Sequence, residues 1–427
     1  MRAALWLVAL FGVAVASALL AGSNQSTVTV FWAPHRVDVS LNLALAALAL
    51  LFVTMHLAWR ALSALFELPH QARRWRLQQK ERAMHAALLD ALAQWMTGRY
   101  VRAVKSAEQV LQLEDLLAST RTSDDPAPRH LQQLRALAHL IAAESAQALR
   151  DREGRDGHFQ SVLQLAEQHP SAAMTEALDA AKLGAARWAL SDRDAPQALR
   201  WLESLPQGTG RRTLSLRMRL KATRVNRQFN LALETARLLT KHGAFSPAAA
   251  NSLVRELAMA SLNEAHDSTQ LQRAWDALDP SEQAFPEVVL HASQRMLRLS
   301  GQAELVMPWL TPLWNRMVQQ ADSCTPATRQ RVVQLLARAL AMMPADTEWL
   351  ASIDRARQVY PRWVELQYLA GMVCWQHALW GKAQQMLELA APQLTDVELQ
   401  RQAWRTLALL AEHKEETARA QMYWKRA

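Results

Sequence analysis

Two uncharged apolar runs within the first sixty residues constrain this chain more than anything else in it. The first is Ala3–Ala21, nineteen residues; the second is Leu41–Ala58, eighteen residues, interrupted only by Asn42, Thr54 and His56. At 1.5 Å per helical residue each is about 27–29 Å long, close to the roughly 30 Å of a bilayer's hydrocarbon core. A segment in lipid must pair every backbone group internally, so both runs are expected as helices. Residues 1–60 therefore predict a two-helix N-terminal transmembrane hairpin with a short loop between the spans. Ala16-Ser17-Ala18 looks like a signal cleavage site, but the run is longer than a signal core and a second span follows at once.

The flanking charges orient this hairpin. Arg2 precedes the first span, and Arg60, Arg73, Arg74, Arg76, Lys80 and Arg82 follow the second, opposed only by Glu67 and Glu81. The loop carries Arg36 and Asp38, which cancel. The positive-inside rule then puts both ends in the cytoplasm and the loop on the far side. Trp32 and Trp59 stand at span ends, where an amphipathic ring prefers the headgroup layer. Residues 61–85 read as a basic juxtamembrane helix; its five cations, with Arg60 just before it, are a lipid-facing flank worth about 1 kcal/mol each against anionic headgroups. Within the loop, Thr27–Trp32 and Arg36–Ser40 are β-branched runs around Ala33-Pro34-His35, the pattern of a small β-hairpin.

Beyond the spans, composition argues for helix. Half of the 427 residues are apolar, and Gly numbers only 12. Of the net charge of +9, residues 60–82 carry +4 and the 345 residues after them another +4. The high pI is thus largely a membrane-flank effect, and no nucleic-acid partner is expected. Two cysteines, Cys324 and Cys374, with no Cys-x-x-Cys, argue against a structural zinc or iron–sulfur site.

From Ala86 onward apolar residues recur at three-and-four spacing, and the helical pattern itself repeats. Trp404, Leu407, Ala408 and Ala411, then Ala420, Trp424 and Ala427, match the tetratricopeptide template. In that template small residues let two antiparallel helices approach and large ones fill the gap to the next pair. Ala370, Gly371 and Cys374, then Trp380, Ala383, Leu387 and Ala390, form the preceding unit, with Ala383 lying 37 residues before Ala420. Ala198 and Ala232 are 34 apart, and Gly98-x-Tyr100-x-x-Ala103 has the turn signature of a first unit. The residues expected to pack the repeats are Gly98, Tyr100, Ala103, Ala232, Gly371, Ala383, Trp404, Leu407, Ala408, Ala420 and Trp424. The expected fold is all-α: the membrane hairpin, then a tetratricopeptide-like α-solenoid over residues 86–427.

A search for chemistry returns nothing convergent. There is no His-Glu-x-x-His, no phosphate-binding Gly-rich loop and no Gly-x-Ser-x-Gly elbow. His139 and Glu144 are five apart, a poor helical spacing for a metal. His56 reads as an interfacial side chain rather than an axial haem ligand. Trp309 and Trp314, flanking Pro308 and Pro312, read as core. No catalytic residue, cofactor or metal is expected, and the chain is read as a non-enzyme.

The layout as a whole resembles the HemY family, inner-membrane proteins of Gram-negative bacteria associated with haem biosynthesis. The echoes are the loop Val28–Ser40, Arg73-Arg74-Trp75-Arg76, Gly98-Arg99-Tyr100 and Ala142-Ala143-Glu144-Ser145-Ala146. A flavin-dependent protoporphyrinogen oxidase that shares the label is unrelated and is not what this chain resembles. The resemblance implies a scaffold in the inner membrane with its repeat domain cytoplasmic, acting in a late step of protohaem (porphyrin) synthesis. Its implied partners are membrane lipid and late haem-pathway enzymes, and it admits a transient contact with haem or a porphyrin. The family offers no agreed catalytic residues to carry over. The alternative is a membrane-anchored repeat adaptor for cell-envelope assembly, and behind it an enzyme with an unrecognised site. The lipopolysaccharide-assembly adaptors differ in having one span and a C-terminal Cys cluster.

Overall fold

The computed structural model describes residues 26–120, 130–299, 301–320 and 324–427, with residues 11–15, 18 and 22 before them. Most of the first apolar run lies outside the described residues.

The β-branched pattern after it forms a hairpin. Strand β1 (Thr27–Trp32) pairs antiparallel with β2 (His35–Ser40) from Thr27↔Ser40 to Trp32↔His35. Ser40 is also the N-cap of helix α1 (Leu41–Met96), its hydroxyl accepting from the Leu43 amide at 3.4 Å. Helix α1 is continuous over 56 residues, about 84 Å at the α-helical rise. Residues 61–85 belong to it, although Pro69 withholds one amide from its ladder. Of this helix, Leu41–Ser63 has a mean hydropathy of 2.1 and none of it is buried, so it is long and apolar enough to cross a membrane.

The chain divides into two compact units, residues 1–177 and 178–427. In the first, the far end of α1 packs on α2 (Tyr100–Thr120) and α3 (Leu131–Leu149), with α4 (Arg152–Gln168) against α3. Met84, Ala87 and Ala91 of α1 meet Ala107, Val110 and Leu117 of α2 and Ala138 and Ala142 of α3. The division falls inside α5 (Ala172–Ser191).

The second unit continues with α6 (Ala195–Glu203), α7 (Gln207–Gly210), α8 (Thr213–Val225), α9 (Phe229–Lys241) and α10 (Pro247–Asn263). Then come α11 (Ser268–Asp276), α12 (Pro280–Gln283), α13 (Pro286–Leu299), α14 (Ala303–Gln319) and α15 (Pro326–Ala341). It ends with α16 (Thr347–Val359), α17 (Val364–Gln376), α18 (Trp380–Ala390), α19 (Val397–His413) and α20 (Thr417–Trp424). Neighbouring helices pack as hairpins, among them α8 with α9, α13 with α14, α17 with α18 and α19 with α20, and α13, α15, α17 and α19 also pack in succession, next but one. This is the nearest-neighbour stacking of a helical-repeat solenoid, in which each pair buries its apolar stripe only against its neighbours.

The repeat is visible at its turns. Gly98, Arg193, Arg227, Ala378 and Glu415 all have φ between 55° and 76°. In each, the following amide bonds back to the carbonyl five residues earlier, as in Arg99 to Gln94 and Glu416 to Ala411. This is the Schellman closure of a helix by a left-handed residue. Five residues after each comes a small residue of the next helix: Ala103, Ala198, Ala232, Ala383 and Ala420, all buried. Polar bonds between units repeat the spacing: Arg224 to Glu256, Arg255 to Glu287 and Arg316 to the Ala284 carbonyl each span 32 residues, and Tyr368 to Gln402 spans 34.

Candidate functional site

The residues expected to pack the repeats fall as follows. Gly98 takes the left-handed turn, and Tyr100, half-buried, opens α2. Ala103, Ala232, Ala383, Leu407, Ala408 and Ala420 are buried, as is Trp404. Gly371 lies where α17 meets α18: a Cβ there would stand 2.7 Å from Leu387 Cγ. Trp424 is a correction. It is 44% exposed and its indole donates to Glu412 at 2.7 Å. The large buried side chain of α20 is Tyr423, which stacks on Trp404 and donates to Glu388 at 2.7 Å. Two aromatics stood adjacent in sequence, and stacking on Trp404 together with the Glu388 acceptor favours the one with the smaller ring and terminal hydroxyl.

Of the basic flank, Arg60, Arg76 and Arg82 are exposed on α1 and Lys80 is half-buried. Arg73 and Arg74 lie on the same helix, with their side chains outside the described ones. Helix α1 is thus one continuous element from an apolar segment of membrane-spanning length, through a cationic stretch, into the core of the first repeat unit.

A polar cluster sits inside that first unit. Buried Glu114 of α2 takes a hydrogen bond from Arg135 of α3, which also meets Asp115 at 3.4 Å. Burial raises the Glu114 carboxyl above its ordinary range, Arg135 opposing. His139, a turn away on α3, meets His158 of α4 with Nδ1 atoms 3.0 Å apart, so one ring must donate and the other accept. Burial, then the His158 and Arg135 charges, push His139 down to about 4; burial also lowers His158. His139 therefore faces a histidine on the next helix and not Glu144. Among the described residues no group of three or more His, Cys, Asp or Glu could hold a metal ion.

The second unit holds a pocket of about 300 Å³ between α11, α12, α13 and α14. Trp275 and Trp309 stack within it, centroids 4.7 Å apart, and Pro280, Pro308 and Pro312 also line it. Pro308 and Pro312 lie inside α14, where they deny amide donors to the carbonyls of Glu304 and Pro308. The half-buried Arg316 lines one wall, tied to the Ala284 carbonyl at 2.9 Å and with no carboxylate partner among the described residues. Such walls suit a flat or proline-like apolar group, and the guanidinium an acidic one. Trp314, by contrast, is core, its indole donating to Ser352 at 3.1 Å. Trp309 is half-buried and packs against the core as expected, and its ring also lines the pocket, stacked on Trp275 from a helix 34 residues earlier.

Two solved structures share only a loose likeness. The crystal structure of yeast Tom70 is 12% identical, with 74% of this chain and 61% of that one covered and a TM-score of 0.28. Naa15/Naa10 bound to HypK-THB is 12% identical, with 81% and 59% covered and a TM-score of 0.25. The chain spans about three fifths of the length of each, and at these scores neither bears on function. No curated protein matches the chain. Residues 26–123, which comprise the β-hairpin, α1 and α2, match the model described as the HemY protein N-terminus. Over this N-terminal region the chain is similar to the HemY family.

Proposed function

We infer that this chain is a membrane-anchored repeat scaffold acting in a late step of protohaem (porphyrin) biosynthesis by holding pathway enzymes at the cytoplasmic face of the inner membrane. The observation that supports the anchoring is α1: the helix that supplies an apolar segment of spanning length also supplies Met84, Ala87 and Ala91 to the core of the first unit. A partner held by the repeats is then held at the lipid surface. In this reading a second span precedes β1, the loop 22–40 faces away from the cytoplasm, and Arg60, Arg73, Arg74, Arg76, Lys80 and Arg82 rest against anionic headgroups. Two linked contacts, one to lipid and one to protein, raise effective concentration without strong individual affinities. The Trp275–Trp309 pocket is the place offered to a partner's apolar and acidic side chains. The pathway assignment rests on the similarity of residues 26–123 to the HemY N-terminus. The non-enzymatic reading rests on the absence, among the described residues, of any convergent catalytic group.

A deletion strain tests this when its porphyrins are profiled and a photo-crosslinking residue at Gln283, on the pocket rim, is used to capture neighbours. Accumulated porphyrin intermediates, with a late pathway enzyme crosslinked, are expected. Normal porphyrins with envelope-assembly proteins captured instead would replace this reading with that of an envelope adaptor. Porphyrin turnover by the purified chain would overturn the non-enzymatic part.

A further inference from the structure

The register of the β1–β2 hairpin sorts its side chains into two unlike faces. Directly opposed residues share a face, and alternate pairs alternate faces. Thr27↔Ser40, Thr29↔Asp38 and Phe31↔Arg36 make one face. Its polar groups pair with one another: Thr29 donates to Asp38 at 2.7 Å, Arg36 meets Asp38 at 3.4 Å, and the Arg36 guanidinium lies 5.5 Å from the centre of the Phe31 ring, the one apolar side chain of this face, which is 77% exposed at the tip. Val28↔Val39, Val30↔Val37 and Trp32↔His35 make the other. That face is apolar apart from one imidazole, and it is uncovered towards the tip, with Val30 51%, Val37 52% and Trp32 78% exposed. An isolated two-stranded hairpin is marginal in water, so such a face calls for a cover.

The covering phase is set by what the hairpin is joined to. No linker separates it from α1: Ser40 ends β2 and caps the helix, and the Leu41 amide donates to the Ser26 carbonyl at 2.9 Å, closing the base of the hairpin on the helix start. The apolar segment Leu41–Ser63 begins at the next residue. A six-residue strand reaches about 20 Å, more than the roughly 5–8 Å interfacial layer on each side of a bilayer, so beside a membrane that α1 crosses the hairpin stays at that depth when it lies flat. An amphipathic surface held there lies with its apolar side in the headgroup–acyl boundary, and an indole at its rim favours that depth.

We propose that the hairpin lies flat on the membrane, with the Val28, Val30, Trp32, Val37 and Val39 face sunk into the lipid interface and the Thr29–Arg36–Asp38 face towards water. It forms a foot that fixes the depth of α1. The inference rests on the reading of α1 as a membrane span. Spin labels on the full chain separate the two. Single variants Val30→Cys, Val37→Cys, Thr29→Cys, Arg36→Cys and Leu50→Cys are reconstituted in phosphatidylethanolamine–phosphatidylglycerol vesicles, and collisions with oxygen and with a water-soluble nickel chelate are compared. The native Cys324 and Cys374 are buried, and the parent chain serves as the blank. Labels at positions 30 and 37 are expected to favour oxygen several-fold over those at 29 and 36. If Leu50 is immersed but both hairpin faces are equally water-accessible, the foot is wrong and the span stands. If labels at 30 and 37 are immobile and shielded from both reagents, the face is covered by protein and the proposal is overturned. A water-accessible Leu50 would overturn the span and the foot together. Electron paramagnetic line shapes of the 29 and 36 labels, ordered as on a strand rather than as on a free loop, verify that the hairpin is folded in the variants.

Discussion

Gly371 and Leu387 set the approach of α17 to α18: a Cβ on the glycine would stand 2.7 Å from Leu387 Cγ and 2.8 Å from its Cδ2. Leu387 is fully buried and has nowhere free to go. Gly371→Ala is expected to destabilise the chain by about 1–3 kcal/mol through overpacking. Leu387→Ala alone leaves a cavity and costs about 2–5 kcal/mol. Because one clash involves both sites, the double variant should lose less than the sum, by about 0.5 kcal/mol or more. Denaturant titration of the detergent-solubilised full chain measures all three, and strict additivity would mean that the two residues do not collide.

Acid should weaken the first unit through His139. Its folded value, about 4, lies below the ordinary 6.5, so the unfolded chain binds the extra proton. The stabilising contribution is complete above pH 6.5 and is lost as pH falls towards 4, up to about 3 kcal/mol at 1.36 kcal/mol per unit. Glu114, raised by burial, acts in the opposite direction, since acid relieves the cost of its buried charge. His158 is lowered too and adds to the His139 trend. Stability measured between pH 7 and pH 4.5 should fall in the parent chain and fall much less in His139→Leu. Equal slopes would assign the acid sensitivity elsewhere.

Pro308 and Pro312 break the rule that helix interiors avoid proline, and they do so at the pocket. Broken local rules cluster where a site is worth their cost. Pro308→Ala and Pro312→Ala are expected to raise stability by about 1 kcal/mol each, the regained helical bond outweighing the lost stiffness of the unfolded chain. Partner capture through Gln283 should fall in the same variants. Lower stability with capture unchanged would make the prolines structural.

Topology is checked by reporter fusions at Ala33 and after Arg82. The excess of Arg60, Arg73, Arg74, Arg76, Lys80 and Arg82 over Glu67 and Glu81 predicts opposite sides, with the second cytoplasmic. A periplasmic signal after Arg82 would reverse the orientation proposed for the repeats.

The membrane segment of α1, the hairpin and the helical class were legible in the sequence because each is a local property. Leu41–Ala58 is apolar without interruption by charge, Thr27–Ser40 alternates β-branched residues around Ala33-Pro34, and Ala103, Ala198, Ala232, Ala383 and Ala420 mark where helices touch. Those small residues hold for each helix pair because only they permit close approach, and the structure adds the left-handed residue five positions before each. What tertiary structure alone decided are relations between side chains far apart in the chain. His139 meets His158 on the next helix, Trp309 stacks on Trp275 from three helices earlier, and Tyr423 rather than Trp424 reaches Trp404. Helical periodicity gives a residue's face to within one position, but which of two adjacent aromatics is buried depends on the shape and hydrogen-bond acceptors of the helix opposite. The same limit hid the pocket: its walls come from four helices, and no stretch of sequence contains enough of it to be read.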